Sequence, residues 1–420
     1  MPGKIILTIT GGPKAGESFV FDEHDTLLLG RVDDAHIRIL DDTKISRNHF
    51  LMEVNPPDAR IRDLGSRNGT YINGQKYGGR GENETPEEGA RHHYPEVDLH
   101  NGDEIRVGKT TLRVHVEAEQ VVPPPVEPVR PPQPQPQPRP PVHAHAQLND
   151  YKKERKLGAG GMGEVYLVRH KTNGSLAALK MMLSKIAVKD SARKEFMREI
   201  AATCAMQHRN IVAFLGSGAN DKGFYFLLEF CEGGSVDDLM RERGGKLSLS
   251  EAAPIMLQSL EGLAYIHEHG YVHRDLKPHN ILLQGSERHW TAKIADLGLA
   301  KSFVQAGFSG MTLTGGYSGT YPFMPREQVT NFKYVKPVSD VWAIGSTFFY
   351  MLTGTFPRKQ ARGQDPIEVI LNGEITPIRH YLPSLPSKVA QVIDHALKNN
   401  AKDRYQNAGE MLTALEQALR

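Results

Sequence analysis

Cysteine is scarce in this chain. Its 420 residues include two, Cys204 and Cys231, too few and too far apart for a disulfide framework or a structural zinc site. No apolar run approaches the roughly 18 residues that a membrane-spanning helix needs. Neither sign of charge dominates. Lys and Arg number 51 against 49 Asp and Glu, a net charge of +2, so bulk charge selects neither a nucleic acid nor a membrane surface as partner. The start, Met1-Pro2-Gly3-Lys4, leads into a short alternating segment and not an apolar stretch. No secretory signal is expected from that pattern, and a reducing cytosol is the expected compartment. What is there is an ordinary globular balance, 39% hydrophobic and 24% charged, with length for two or three domains at roughly 150 residues each.

Proline places the boundary. Residues 118–149 hold 11 of the 27 prolines, in runs such as Pro131-Pro132-Gln133-Pro134. Such a segment lacks amide donors and apolar mass, so it reads as an extended, partly polyproline II tether. It separates residues 1–117, with 15 Lys and Arg against 20 Asp and Glu, from residues 150–420, with 34 against 27. The flanks are therefore acidic and basic, a hint that they could dock weakly.

The first flank reads as all-β. Short β-type runs (Lys4 to Thr10, Ser18 to Phe21, Thr26 to Leu29, His36 to Leu40, His49 to Val54, Ala59 to Leu64, Thr70 to Ile72 and Glu104 to Val116) are divided by turns such as Gly11-Gly12, Asn68-Gly69 and Asn73-Gly74. That pattern predicts a β-sandwich. Gly78 to Pro95 reads as a long polar surface loop. The second flank begins strand-rich, from Tyr151 to Leu183 and again over Gly223 to Glu229. Helical periods follow from Ser250, as in Ala253 to His267 and Val389 to Lys398.

Gly158-Ala159-Gly160-Gly161-Met162-Gly163 contains G-x-G-x-x-G, which alone is weak. A dinucleotide fold needs a helix after the glycines, but Val165-Tyr166-Leu167-Val168 reads as a strand, and no Gly-Lys-Ser/Thr follows for a Walker loop. A glycine turn between strands can instead lie over phosphates, because backbone amides approach where Cβ atoms are missing. Lys180 lies on the apolar strand Ala177-Ala178-Leu179-Lys180, and a largely buried cation needs a partner. Glu195 and Glu199 share one face of an amphipathic helix, and periodicity does not choose between them. Then come His273-Arg274-Asp275-Leu276-Lys277-Pro278-His279-Asn280 and, after a strand, Asp296-Leu297-Gly298. Asp275, Asn280 and Asp296 are hard oxygen ligands of the kind that suit Mg²⁺ with phosphates.

With these four elements in this order, residues 150–420 resemble a Ser/Thr protein kinase, most nearly the bacterial eukaryotic-like type. The resemblance implies an α+β bilobal fold, ATP and Mg²⁺ (or Mn²⁺) as cofactors, and protein substrates. It implies that Gly158, Gly160 and Gly163 cover the phosphates, with Leu157, Val165 and Ala178 among the nucleotide-contacting positions. Lys180 would hold the α- and β-phosphates and pair with Glu199. Asp275 would orient the substrate hydroxyl and accept its proton, Lys277 would steady the transferred group, and Asn280 and Asp296 would hold metal. Glu229 to Cys231 would be the hinge, with Leu228 as gatekeeper. Glu327, in a departure from Ala-Pro-Glu that reads Pro325-Arg326-Glu327, should pair with Arg404, and Asp340 should bind the catalytic-loop backbone.

In residues 1–117, Gly30-Arg31, Ser46-Arg47-Asn48-His49, Asn68-Gly69-Thr70 and Asn73-Gly74 together resemble a forkhead-associated (FHA) domain. That resemblance implies phosphothreonine binding. Arg31 offers a planar donor fork, Ser46 a hydroxyl, Arg47 and Arg67 further charge, and Asn68 a contact to the ligand backbone. His49 is expected to be a framework residue. The reading is thus a multidomain chain: a sandwich over 1–117, a tether over 118–149 and a kinase over 150–420. Its partners would be protein substrates and phosphothreonine proteins, or its own activation loop, where Thr312 and Thr314 are candidate phosphorylation sites for Arg274 to pair with. The rival is a pseudokinase or phosphopeptide-binding scaffold.

Overall fold

Regular turns and two-residue alternation produce strands in the first flank, and apolar positions at three- and four-residue steps produce the long helices from residue 249 on. A computed structural model describes residues 3–22, 25–33, 35–81, 83–89, 92, 94–117, 148–160, 163–182, 206–220, 223–286, 289–297, 321–330, 335–360 and 364–420. The chain divides into two compact units: residues 1–3, 117–185 and 214–230 form one, and residues 4–116, 186–213 and 231–420 form the other.

The larger unit opens with a sandwich. Its strands are β1 (Lys4–Gly11), β2 (Ser18–Phe21), β3 (Asp25–Gly30), β4 (Ile37–Arg38), β5 (Asn48–Asn55), β6 (Asp58–Asp63), β7 (Thr70–Ile72) and β8 (Gln75–Lys76). After the short helix α1 (Pro86–Gly89) come β9 (Glu96–Leu99), β10 (Glu104–Val107) and β11 (Thr110–Glu117). One sheet runs β2-β1-β11-β10-β7-β8 and the other β4-β3-β5-β6-β9. Ile5, Leu7, Leu27, Leu29, Phe50, Met52, Ile105 and Leu112 meet between them. Two expectations need correction. The run His36 to Leu40 pairs only over β4, and Glu104 to Val116 is split by a turn at Gly108, whose φ is 59°.

The smaller unit is a five-stranded sheet of β12 (Tyr151–Gly160), β13 (Gly163–His170), β14 (Leu176–Met182), β15 (Phe214–Asn220) and β16 (Gly223–Glu229), in the order β12-β13-β14-β16-β15. Val168, Ala177, Leu179, Met181, Tyr225 and Leu227 form an apolar layer on one face.

The rest of the larger unit is helical. It comprises α2 (Val236–Glu242), α3 (Leu249–Glu268), the hairpin β17 (Ile281–Ser286) and β18 (His289–Ile294), α4 (Arg326–Thr330), α5 (Pro337–Thr353), α6 (Pro366–Asn372), α7 (Ser387–Ala396) and α8 (Ala408–Leu419). Ser248 caps α3 in a reciprocal box with Glu251, an arrangement that satisfies two terminal amides. Helix α5 is buried nearly all round, with Trp342, Phe348 and Phe349 in the central cluster. It stops at Gly354, which takes the left-handed conformation at φ 69°.

Candidate functional site

In the smaller unit, Lys180 lies on the central strand and is 8% exposed. It stands opposite Val165 on one side and Phe226 on the other. Because facing and next-but-one residues share a face of a sheet, Val165, Ala178, Lys180, Phe226 and Leu228 lie together on the face away from the Leu179 and Leu227 layer. Gly158 faces Val165, and Gly160 faces Gly163. Gly163 has φ 143°, and a Cβ there would sit 2.0 Å from the Met181 carbonyl oxygen, so the start of β13 needs glycine. At Gly158 an added Cβ would meet no atom within 4 Å, so packing makes no such demand. Leu157 is half-buried on β12 and Glu229 ends β16. Glu199 lies outside the described residues.

In the larger unit, the segment from Tyr271 to Asn280 joins α3 to β17. The Asp275 carboxylate accepts from Lys277 Nζ at 3.0 and 3.1 Å and from Asn280 Nδ2 at 2.9 Å. The same Asn280 nitrogen donates to the Asp275 carbonyl at 2.7 Å, which leaves the amide oxygen as the group able to meet a cation. The Ala295 N–H bonds the Asn280 carbonyl at 2.9 Å, tying the residue before Asp296 to this segment. His273 donates from Nε2 to the Ala295 carbonyl at 2.8 Å, while its Nδ1 accepts the Asp275 N–H at 3.3 Å. The residue before Asp296 is thus tied to Asn280, and both side chains offer hard oxygen donors of the kind divalent cations take.

Asp340, near the start of α5, fixes the frame. Its oxygens accept the backbone N–H groups of His273 at 2.7 Å and Arg274 at 2.8 Å, and His267 Nε2 at 3.0 Å. Burial alone would push this carboxyl up. The hydrogen bond from His267 and its charge, with the Arg274 amide, outweigh it and hold Asp340 below its ordinary value. Arg274 and Asp296 both have positive φ, 71° and 61°. Such strain in residues with side chains is held by surrounding bonds; at Arg274 these include a 2.6 Å bond from Gln328 to its carbonyl. His267 and Gln328 carried no sequence motif, because they act from distant positions, His267 on the Asp340 carboxylate and Gln328 on the Arg274 carbonyl.

The departure Pro325-Arg326-Glu327 is anchored three ways. Glu327 pairs with Arg404 at 2.6 and 3.1 Å, as the sequence led one to expect. Arg326 donates to the Leu371 carbonyl, and Arg358, stacked 4.2 Å over the Trp342 ring, donates to the Met324 carbonyl. Burial pushes Arg358 down to about 9. Cys231 is buried and begins the described part of this unit that leads into α2. Thr312 and Thr314 lie outside the described residues.

The sandwich gathers its polar loops at one end. Ser46 Oγ accepts the Arg67 N–H at 2.9 Å, and Asn68 donates to the Lys44 carbonyl at 2.7 Å. The Arg31 N–H bonds the Arg47 carbonyl at 2.8 Å, an approach that leaves only 2.0 Å for a Cβ at Gly30. Arg31, Ser46, Arg47, Arg67 and Asn68 are thereby brought together through loops, and Arg31 Nε is buried with no partner among the described residues. His49 is the expected framework residue. It is fully buried, accepts the Ser46 N–H at 3.0 Å and reaches the Gly69 carbonyl at 3.3 Å. Burial lowers its pKa, outweighing Asp63, Gly69 and Asp42, so the imidazole serves both bonds in its neutral form.

Residues 151–416 match the protein kinase domain model and residues 27–108 the FHA domain model. Over 267 residues the chain is 30% identical to the serine/threonine-protein kinase PrkC of Bacillus subtilis, covering 62% of this chain and 39% of that protein. It is 29% identical over 266 residues to serine/threonine-protein kinase pkn2 of Myxococcus xanthus, covering 63% and 32%. It is 33% identical over 249 residues to sperm motility kinase 2B of Mus musculus, covering 59% and 48%. The chain therefore matches about a third to a half of the length of these curated relatives.

Proposed function

The chain belongs to the protein kinase family and carries an FHA domain, and we propose that it transfers the γ-phosphate of ATP to serine and threonine hydroxyls of proteins. The carrying observation is the contact set around Asp275, with Lys277 and Asn280 on its carboxylate and Asp340 holding the backbone of His273 and Arg274 just before it. In this reading Asp275 orients the substrate hydroxyl and accepts its proton, which is worth roughly 10²–10⁴-fold. Lys277, already against Asp275, places a positive charge beside the transferred group. Lys180 holds the α- and β-phosphates and pairs with Glu199, while Gly158, Gly160 and Gly163 let backbone amides near the phosphates. Leu157, Val165, Ala178, Glu229 and Cys231 receive the nucleotide. Asn280 and Asp296 hold Mg²⁺ or Mn²⁺, which when bound neutralises phosphate charge.

The sandwich is proposed to bind phosphothreonine through Arg31, Ser46, Arg47, Arg67 and Asn68. The buried, partnerless Arg31 Nε supports this, because a phosphate oxygen would complete it. The proposed domain limits are 1–117 and 150–420, with a tether between, and Thr312 and Thr314 are the proposed sites of self-phosphorylation. Among the described residues no helix is long and apolar enough to cross a membrane; a cytosolic location is part of the proposal. The test is radiolabelled ATP with a generic basic protein. Label in the protein supports the kinase; nucleotide binding with no label transferred supports a scaffold.

A further inference from the structure

Two strands of the sandwich are apolar on both faces. In β3, Leu27 and Leu29 enter the sandwich core, and in β5, Phe50 and Met52 do the same. Leu28 and Leu51 lie between them, on the opposite face of the same sheet, yet both are fully buried. An outward face of an antiparallel sheet is ordinarily polar. Here Leu28 is the register partner of Leu51, and Leu51 of Arg62, so the three form one row across β3, β5 and β6.

What buries this row is the helical part of the same unit. Leu28, Leu51 and Leu64 cluster with Tyr321, Met324 and Val329 at α4 and with Ile367, Ile370 and Leu371 of α6. Arg62, 2% exposed, pairs with Asp365 at 3.2 Å. That carboxylate also caps α6 by accepting the Ile367 N–H at 2.8 Å. Beside the apolar patch, Asn48 donates to Asn372 at 3.0 Å. Arg47, one residue earlier, lies where its charge favours the Glu368 carboxylate. Arg47 is also one of the residues assigned above to phosphothreonine.

We propose that the outward face of β3, β5 and β6 is an intramolecular docking surface for α4 and α6, and that a phosphothreonine peptide opposes this docking by taking Arg47. The proposal rests on the kinase and phosphothreonine readings. A phosphate brings about −1.5 to −2 charge. Captured by Arg47, it neutralises the cation one residue from the Asn48–Asn372 contact and brings a like charge toward the carboxylates of α6, Asp365 and Glu368. Linkage is reciprocal, so docking must weaken phosphopeptide binding by the factor by which the peptide weakens docking.

Hydrogen–deuterium exchange on the full chain tests this without requiring phosphotransfer. Leu51→Glu should raise amide exchange across 366–372 at least tenfold and tighten binding of a phosphothreonine peptide at least threefold. Retained peptide binding shows that the sandwich is still folded. Arg62→Gln should act in the same direction to a smaller extent. With wild type, saturating phosphothreonine peptide should reproduce the increase, and the unphosphorylated peptide should not. Unchanged exchange in both variants would overturn the docking surface, and so would protection lost on dilution, which would mean docking between chains. Peptide binding that leaves exchange unchanged would overturn the linkage. If no phosphothreonine peptide binds, the underlying binding reading fails, while the exchange of the variants still reports on docking.

Discussion

Asp340 and Arg274 are joined by a 2.8 Å bond from a backbone N–H to a carboxylate that is 1% exposed. Arg274 keeps a left-handed backbone next to Asp275, so a side chain 66 residues away holds the strained approach to the proposed base. Removing one partner from such a buried charged network costs about 3–5 kcal/mol. Asp340→Ala should lower the thermal midpoint by several degrees and abolish turnover. Because Asp340 is held below its ordinary value when folded, it stabilises the fold above the unfolded pKa of about 3.9, and that stability is lost as pH falls toward and below the folded value. Chemical denaturation between pH 3 and pH 7 should show Asp340→Asn losing least, relative to wild type, at the acid end.

Arg31→Ala should cost about 1.5–3 kcal/mol of phosphothreonine-peptide affinity, the usual worth of a hydrogen bond to a charged group. Titration calorimetry measures it. Equal affinities for variant and wild type would displace Arg31 from the pocket.

Burial pushes Glu368 up to about 7. The Asn372 side chain pulls it down, Asp365 pushes it up, and Arg47 and Arg326 pull it down. A glutamate free in solution titrates near 4.3, so the docked form binds the proton more tightly. Docking should therefore be strongest below about pH 4.5 and weaken as pH rises toward 7. Energy transfer between dyes on the sandwich and the helical part should fall over that range in wild type. It should stay flat in Glu368→Gln; parallel curves for the two would remove Glu368 from the interface.

The segment around Asp275 was legible because Asp275 and Asn280 stand five residues apart in one loop, and they meet there at 2.9 Å; that Lys277 also reaches the Asp275 carboxylate was not readable from spacing. The docking surface was harder to see. Leu27-Leu28-Leu29 and Phe50-Leu51-Met52 read as strand from composition, but a strand buried on both faces says nothing of what covers the second face. Net charge gave only a hint that an acidic flank could dock on a basic one. The ion pair at the contact has the opposite sense, with Arg62 from the acidic flank and Asp365 from the basic one, because local geometry and not the sum decides which charges meet. The short β4 shows a third limit: an apolar run with strand propensity pairs only as far as its neighbours allow.

Single-turnover transfer of labelled phosphate from ATP to a basic protein, by wild type and by Asp275→Asn, tests the central claim most directly. Transfer by wild type, a loss of about 10²–10⁴-fold in the variant, and nucleotide affinity within about threefold of wild type are the predicted results. Equal transfer by both proteins, or none by wild type under saturating ATP and metal, would contradict it.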